Sequence, residues 1–265
     1  MKRLLLWAVL PLLLLSCQEK IHDPGKDNKG NQNPDEPVAV KGFYTFEHEG
    51  FTFKIREEVY NTPSAQAAIA HLKEDLTEIN ALIPKAALDV MHKNPIWLEK
   101  DLTDGAAWYH ANKDWLADQA RTDSRYMTEK WHCVELCNYV HYVSWSDQNQ
   151  PYMVLHELCH LYHDQALAGG FENPDVKAAY NHAMSSGLYV NTPYRLDQKT
   201  VIPHYDDYYH AKVYATNDQM EYFSEICEAY WGENDYYPFN YDDLKEYDPQ
   251  GFALMEKVWG KRSGK

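Results

Sequence analysis

The chain predicts an α+β fold, and three patterns in it carry that expectation. Strand-like segments crowd the first half of the folded region, long capped helices fill the second, and no repeat of fixed period runs through either. The 265 residues, 45% hydrophobic and 25% charged, suffice for one sizeable core. Lys and Arg number 25 against 40 Asp and Glu, a net charge of −15. That balance sets nucleic acid aside as a partner, because affinity for a phosphate backbone comes from Lys and Arg displacing counterions.

The order begins with export. Lys2 and Arg3, the apolar run Leu4 to Leu15 and the small Ser16 before Cys17 read as a signal peptide over residues 1–16. At about a dozen residues the run is too short for a resident membrane helix. Its Leu-Ser-Cys ending resembles the bacterial lipoprotein cleavage box, which implies lipid on Cys17 and a place in the cell envelope, at the outer membrane or cell surface. Between Gln18 and Pro37 the only aliphatic residue is Ile21, so residues 17–40 are expected to be a lipidated tether, and residues 41–265 the folded, catalytic domain.

Within that domain, Phe43, Phe46, Phe51, Phe53 and Ile55 flank His48-Glu49-Gly50 as in a β-hairpin. Thr62-Pro63 opens a helix whose apolar positions Ile69, Leu72, Leu76, Ile79 and Ile83 advance by three and four. Ile96–Leu98, Ala106–His110 and Val134–Asn138 read as strands. Helices follow over Pro151–Ala168, closed by Gly169-Gly170, over Pro174–Ser186, capped by Asn173, and from an Asn217 cap to Trp231, closed by Gly232. Cys133 and Cys137, four strand positions and roughly 13 Å apart, are expected to stay thiols, while the state of Cys159 and Cys227 is left open. The 21 Tyr and 8 Trp are read as core and rim in preference to a carbohydrate-stacking surface.

His156-Glu157-Leu158-Cys159-His160 carries the chemistry. On a helix the two histidines stand one turn apart on one face and can share one Zn²⁺, with the glutamate beside the first placed to reach a water on the metal. A chain of this composition holds roughly 0.05 such matches by accident, and the helical setting after a strand adds to the pattern. His163, about 10.5 Å along the helix from His156, is too far to join it on one ion and is expected to pack or to support the ligands. The third ligand is sought in the helix after Asn217, where Glu221, Glu225 and Glu228 form a stripe beside Tyr222, Phe223, Ile226 and Tyr230. Carboxylates so close to an apolar face need a cation or donors.

These two motifs, the His-Glu-Leu-Cys-His run and Tyr214-Ala-Thr-Asn-Asp-Gln-Met-Glu221-Tyr-Phe-Ser-Glu225, resemble the catalytic domain of the anthrax lethal factor type of zinc metallopeptidase, a gluzincin. A broader likeness to uncharacterised secreted bacterial proteins of that superfamily covers roughly residues 42–259. The resemblance implies a zincin-like metallopeptidase fold, one Zn²⁺ per chain held by His156, His160 and Glu221, a general base at Glu157, a supporting carboxylate at Glu225 behind a histidine, and a transition-state donor at Tyr214. The expected protein is therefore a monomeric, lipid-anchored metalloendopeptidase acting on peptides or proteins, with an extended substrate paired along Ala107–His110. A zinc amidase of cell-wall or modified peptides, and a non-catalytic binding lipoprotein on the same fold, are the alternatives. Glu157 argues against the last, since a binder needs no base beside its ligands.

Overall fold

The computed structural model describes residues 37–262. The expected signal peptide, Cys17 and the tether up to Asp35 and Glu36 lie outside the described residues. Three antiparallel strands open the fold: β1 (Val38–Val40), β2 (Phe43–His48) and β3 (Phe51–Arg56). Glu49 and Gly50 turn the β2–β3 hairpin with both residues at positive φ, the conformation that a tight two-residue turn demands and glycine takes without strain. A short α1 (Glu57–Tyr60) leads to α2 (Pro63–Leu82), capped by the Thr62 hydroxyl with Pro63 as its first residue. Its predicted stripe, Ile69, Leu72, Leu76 and Ile79, is buried.

After α3 (Lys85–Met91) come β4 (Ile96–Leu98), β5 (Trp108–Tyr109), α4 (Lys113–Gln119) and β6 (Val134–Leu136). The six strands lie in the order β1-β2-β3-β4-β6-β5; β4 is parallel to β3 and β6, and β5 is antiparallel to β6 at the sheet edge. The remainder is mostly helical: α5 (Tyr139–Gln148), α6 (Met153–Ala166), α7 (Pro174–Ser185), the small pair β7 (Tyr194–Arg195) and β8 (Val201–Ile202), α8 (Tyr205–Tyr209), α9 (Gln219–Trp231), α10 (Tyr241–Tyr247) and α11 (Pro249–Trp259). This is the expected α+β class, a small mixed sheet packed on long helices. Phe53, Ile55, Ile96, Leu98 and Leu136 from the sheet share one core with Leu72, Leu76, Val154, Leu155, Phe223 and Ile226 from the helices.

Some boundaries depart from the sequence reading. The strand expected over Val134–Asn138 stops at Leu136, and Asn138 instead caps α5, its Oδ1 accepting from the His141 amide at 3.1 Å. The helix α5 itself was not anticipated. Helix α6 starts at Met153, two residues after Pro151, and α9 is capped by Asp218, not Asn217, with Oδ1 accepting from the Met220 and Glu221 amides at 2.8 and 3.0 Å.

A charged chain is buried beside β4 and β6. Lys130, fully buried, donates to Glu99 Oε1 at 2.9 Å and also to Glu135. Arg56 Nε donates to Glu99 Oε2 at 2.9 Å, and His110 Nε2 lies 2.6 Å from Glu135 Oε2. Removing the ammonium leaves buried Glu99 with Arg56 alone and buried Glu135 with His110 alone, so Lys130→Met should lower the free energy of unfolding by about 3–5 kcal/mol in urea denaturation. A loss below about 1 kcal/mol, the scale of an exposed ion pair, would mean that the two glutamates relax to water.

Candidate metal centre

The site grows from the packing of α6 on α9. Most residues of both helices are buried, α6 through Met153, Val154, Leu155, Leu158, Cys159 and Leu161, and α9 through Tyr222, Phe223, Ile226, Ala229 and Tyr230. Close approach is set at one end by Gly232, which terminates α9 against the Tyr152 ring: a Cβ there would stand 2.1 Å from Tyr152 Cζ. The polar residues of the two helices are thus forced together in a dry interior.

His156 and His160, one helical turn apart, converge on Glu221. The distances His156 Nε2 to His160 Nε2, His156 Nε2 to Glu221 Oε2 and His160 Nε2 to Glu221 Oε2 are all 3.1 Å. Tetrahedral zinc with bonds of about 2.0–2.1 Å requires ligand edges of about 3.3 Å, so this triangle fits the ion. Two imidazoles and a carboxylate also form a donor set that suits zinc. Glu228 Oε1 lies 2.6 Å from His156 Nδ1, which fixes the proton on Nδ1 and turns the Nε2 lone pair toward the triangle. A second grouping, His156 with Glu225 and Glu228, uses that same Nδ1 and is closed by its hydrogen bond, leaving one centre among the described residues.

The carboxylate behind the histidine is therefore Glu228 and not Glu225, as the family resemblance had implied. Glu225 Oε1 stands 3.9 Å from His156 Nδ1, and its Oε2 accepts instead from Asn234 Nδ2 at 3.0 Å. Glu221, Glu225 and Glu228 were all visible as one acidic stripe; which of them meets the imidazole depends on how the helices cross. Asp235, to which sequence reasoning assigned no role in the site, joins the same buried group through Gln150 Nε2 at 3.1 Å.

Electrostatics follow from burial. Desolvation pushes the Glu228 carboxyl up to about 7 and Asp235 to about 6, and raises Glu225 well above the carboxylate range. Burial acts the same way on Glu221, but the adjoining imidazoles of His156 and His160 outweigh it and hold that carboxyl far below its ordinary value. Glu157 is raised, by desolvation first, with the neighbouring histidines pulling the other way. It has no hydrogen bond or ion pair among the described residues and faces a cavity of about 220 Å³ shared with His156 and Tyr214. Tyr214 sits on the turn before α9 with its ring centroid 6.0 Å from that of His156; desolvation and the adjacent Glu221 raise its hydroxyl.

Edge strand β5 borders the cavity through Trp108, with Ala106 and Ala107 just before it, and the Tyr109 hydroxyl pins the strand to α6 by donating to Asp164 Oδ2 at 2.7 Å. His163 is fully buried against Phe171 and Phe223 with neither ring nitrogen hydrogen-bonded, a packing residue. Burial lowers its pKa to about 4. Cys133, Cys137, Cys159 and Cys227 are free and buried.

Compared with protein families, with curated proteins and with solved structures, the chain matches none of them. The assignment rests on geometry: a helix-borne His/His/Glu centre of the zincin kind, with an unpaired buried glutamate beside it, is the arrangement of a zinc-dependent peptidase.

Emission analysis of protein loaded with zinc should give one ion per chain. In competition with a fluorescent chelator, Glu221→Ala should weaken affinity by about 100-fold or more and Glu228→Gln by about 10–100-fold, with Glu225→Gln mildest. If Glu225→Gln proved worse than Glu228→Gln, the hydrogen bond to His156 would not be what supports the centre.

Proposed function

We propose that the protein is an endopeptidase of the gluzincin type, related in design to the lethal factor catalytic domain, and that it works from the cell envelope through lipid on Cys17. The observation that carries the reading is the 3.1 Å triangle of His156, His160 and Glu221, with Glu157 left unpaired beside an open sheet edge. The block from Tyr214 to Glu225 supports the narrower family placement. Bound in the triangle, zinc would supply Lewis acidity, lowering the pKa of a water and polarising the scissile carbonyl.

The chain's own residues then divide the work. A peptide adds to β5 by main-chain hydrogen bonds, which lays its scissile bond across the helix that bears Glu157. Glu157, its pKa raised by burial, accepts the proton of the attacking water and passes it to the leaving amine. The Tyr214 hydroxyl, held protonated at any physiological pH, donates to the carbonyl oxygen as negative charge grows there, a contact worth about 2–4 kcal/mol when preorganised. Glu228 keeps His156 in its tautomer throughout.

Glu157→Gln should retain zinc and lose hydrolysis, because the amide fills the same volume without taking a proton; full turnover by that variant would sink the proposal. Tyr214→Phe should keep zinc and lower kcat by roughly 100-fold with little change in KM, as expected of a bond strengthened only in the transition state. Cys17→Ser should move the protein out of the membrane fraction, and unaltered detergent extraction would point to another anchor.

A further inference from the structure

We propose that the cavity beside the triangle is a subsite for a cationic side chain, Lys or Arg, of the peptide being cut, on the C-terminal side of the scissile bond. This rests on the peptidase reading and specifies its substrate. Trp108, Trp145 and Tyr236 form aromatic walls, and Glu225 and Asp235 are set in the lining, each 3% exposed. Among the described residues no Lys or Arg lines the cavity. Such walls attract a cation over their ring faces, and a carboxylate at the end completes the recognition of an ammonium or guanidinium group.

The acidic residues alone would not define a site, since each also supports its neighbours. Glu225, however, is only half used. Its Oε2 accepts from Asn234, while Oε1 has no hydrogen-bond donor among the described residues: the His156 Nδ1 that approaches to 3.9 Å is committed to Glu228 at 2.6 Å. Glu225 borders the cavity of about 220 Å³, and an oxygen of a buried carboxyl group that lacks a donor is completed by one that arrives with the substrate. That volume and its aromatic walls suit a long side chain and not a second bare metal ion, for which the hydrogen-bonded Nδ1 offers no lone pair.

Strand direction fixes the side of the bond. The residues leading into β5, Gly105 to Trp108, border the cavity with Met153 and Glu157 of α6, whereas Tyr109 reaches Asp164, farther along the helix. Strand and helix thus advance together. A peptide paired antiparallel to β5 runs the opposite way and carries the residue that follows the scissile bond toward the cavity.

The test uses the zinc-loaded mature chain and N-acetylated quenched-fluorescent peptides that differ only at that residue: arginine, lysine, citrulline, the neutral isostere of arginine, and norleucine. Arginine and lysine should exceed the neutral pair by about tenfold or more in kcat/KM. Asp235→Asn and, at a partly exposed wall, Trp145→Ala should each shrink that ratio. Agmatine binding to the Glu157→Gln protein, read by tryptophan fluorescence, should weaken about tenfold in the Asp235→Asn background, independently of turnover. Equal cleavage of all four peptides overturns the subsite and leaves the peptidase standing. No cleavage with Asp235-dependent agmatine binding removes the peptidase and keeps the cation site. No cleavage and no binding removes both.

Discussion

Three lone-pair-bearing atoms held 3.1 Å apart in a dry interior form the constraint around which the helical layer is arranged. Left to themselves, His156, His160 and Glu221 would be driven apart or protonated, because electron pairs facing one another in a low dielectric repel strongly. The fold supplies the opposing force by burying the facing sides of both helices, so that separating the polar atoms would expose Leu155, Leu158, Phe223 and Ile226. Binding of a cation and packing of the core therefore favour the same arrangement. Stability of the helical layer and occupancy of the centre are linked quantities.

The sheet contributes through two adjacent residues of opposite orientation. Tyr109 points to the helical layer and bonds Asp164, while His110, next in the chain, meets Glu135 and through it Lys130, Glu99 and Arg56. Alternation along an extended backbone makes this possible, since successive side chains face opposite ways. One attachment ties the edge to the helix bearing the ligands, and the other ties it to the buried charge chain on the far side. The edge beside the cavity is in this way held from both faces.

What the sequence disclosed and what it hid divide along a physical line. Local spacing was readable: His156 and His160 on one face, the acidic stripe Glu221, Glu225 and Glu228, the Thr62-Pro63 start of α2 and the Glu49-Gly50 turn all follow from period and dihedral preference. Long-range geometry was not. Choosing Glu228 over Glu225 as partner of His156 needs the crossing of α6 and α9, which no spacing within α9 reveals. Helix α5 escaped because its buried positions, Tyr139, Tyr142 and Ser146, sit among Ser, Trp and Gln with weak apolar contrast, and because Asn138 was absorbed into the preceding strand when it is in fact the cap. Asp235 lies in a loop where no periodicity operates, so its burial could come only from the assembled fold.

The edge strand β5 is two residues long, Trp108 and Tyr109. An unsealed edge is ordinarily a template on which copies of a protein recruit one another, and brevity is one of the ways in which folded chains avoid it. Here the same brevity limits how much a visiting peptide can gain from its backbone, since so short a strand offers few ladder bonds. Self-assembly and indiscriminate capture of extended polypeptides are suppressed by one feature. On the proposed reading, residence on the protein would be decided by what a peptide's side chains find in the recesses beside the strand.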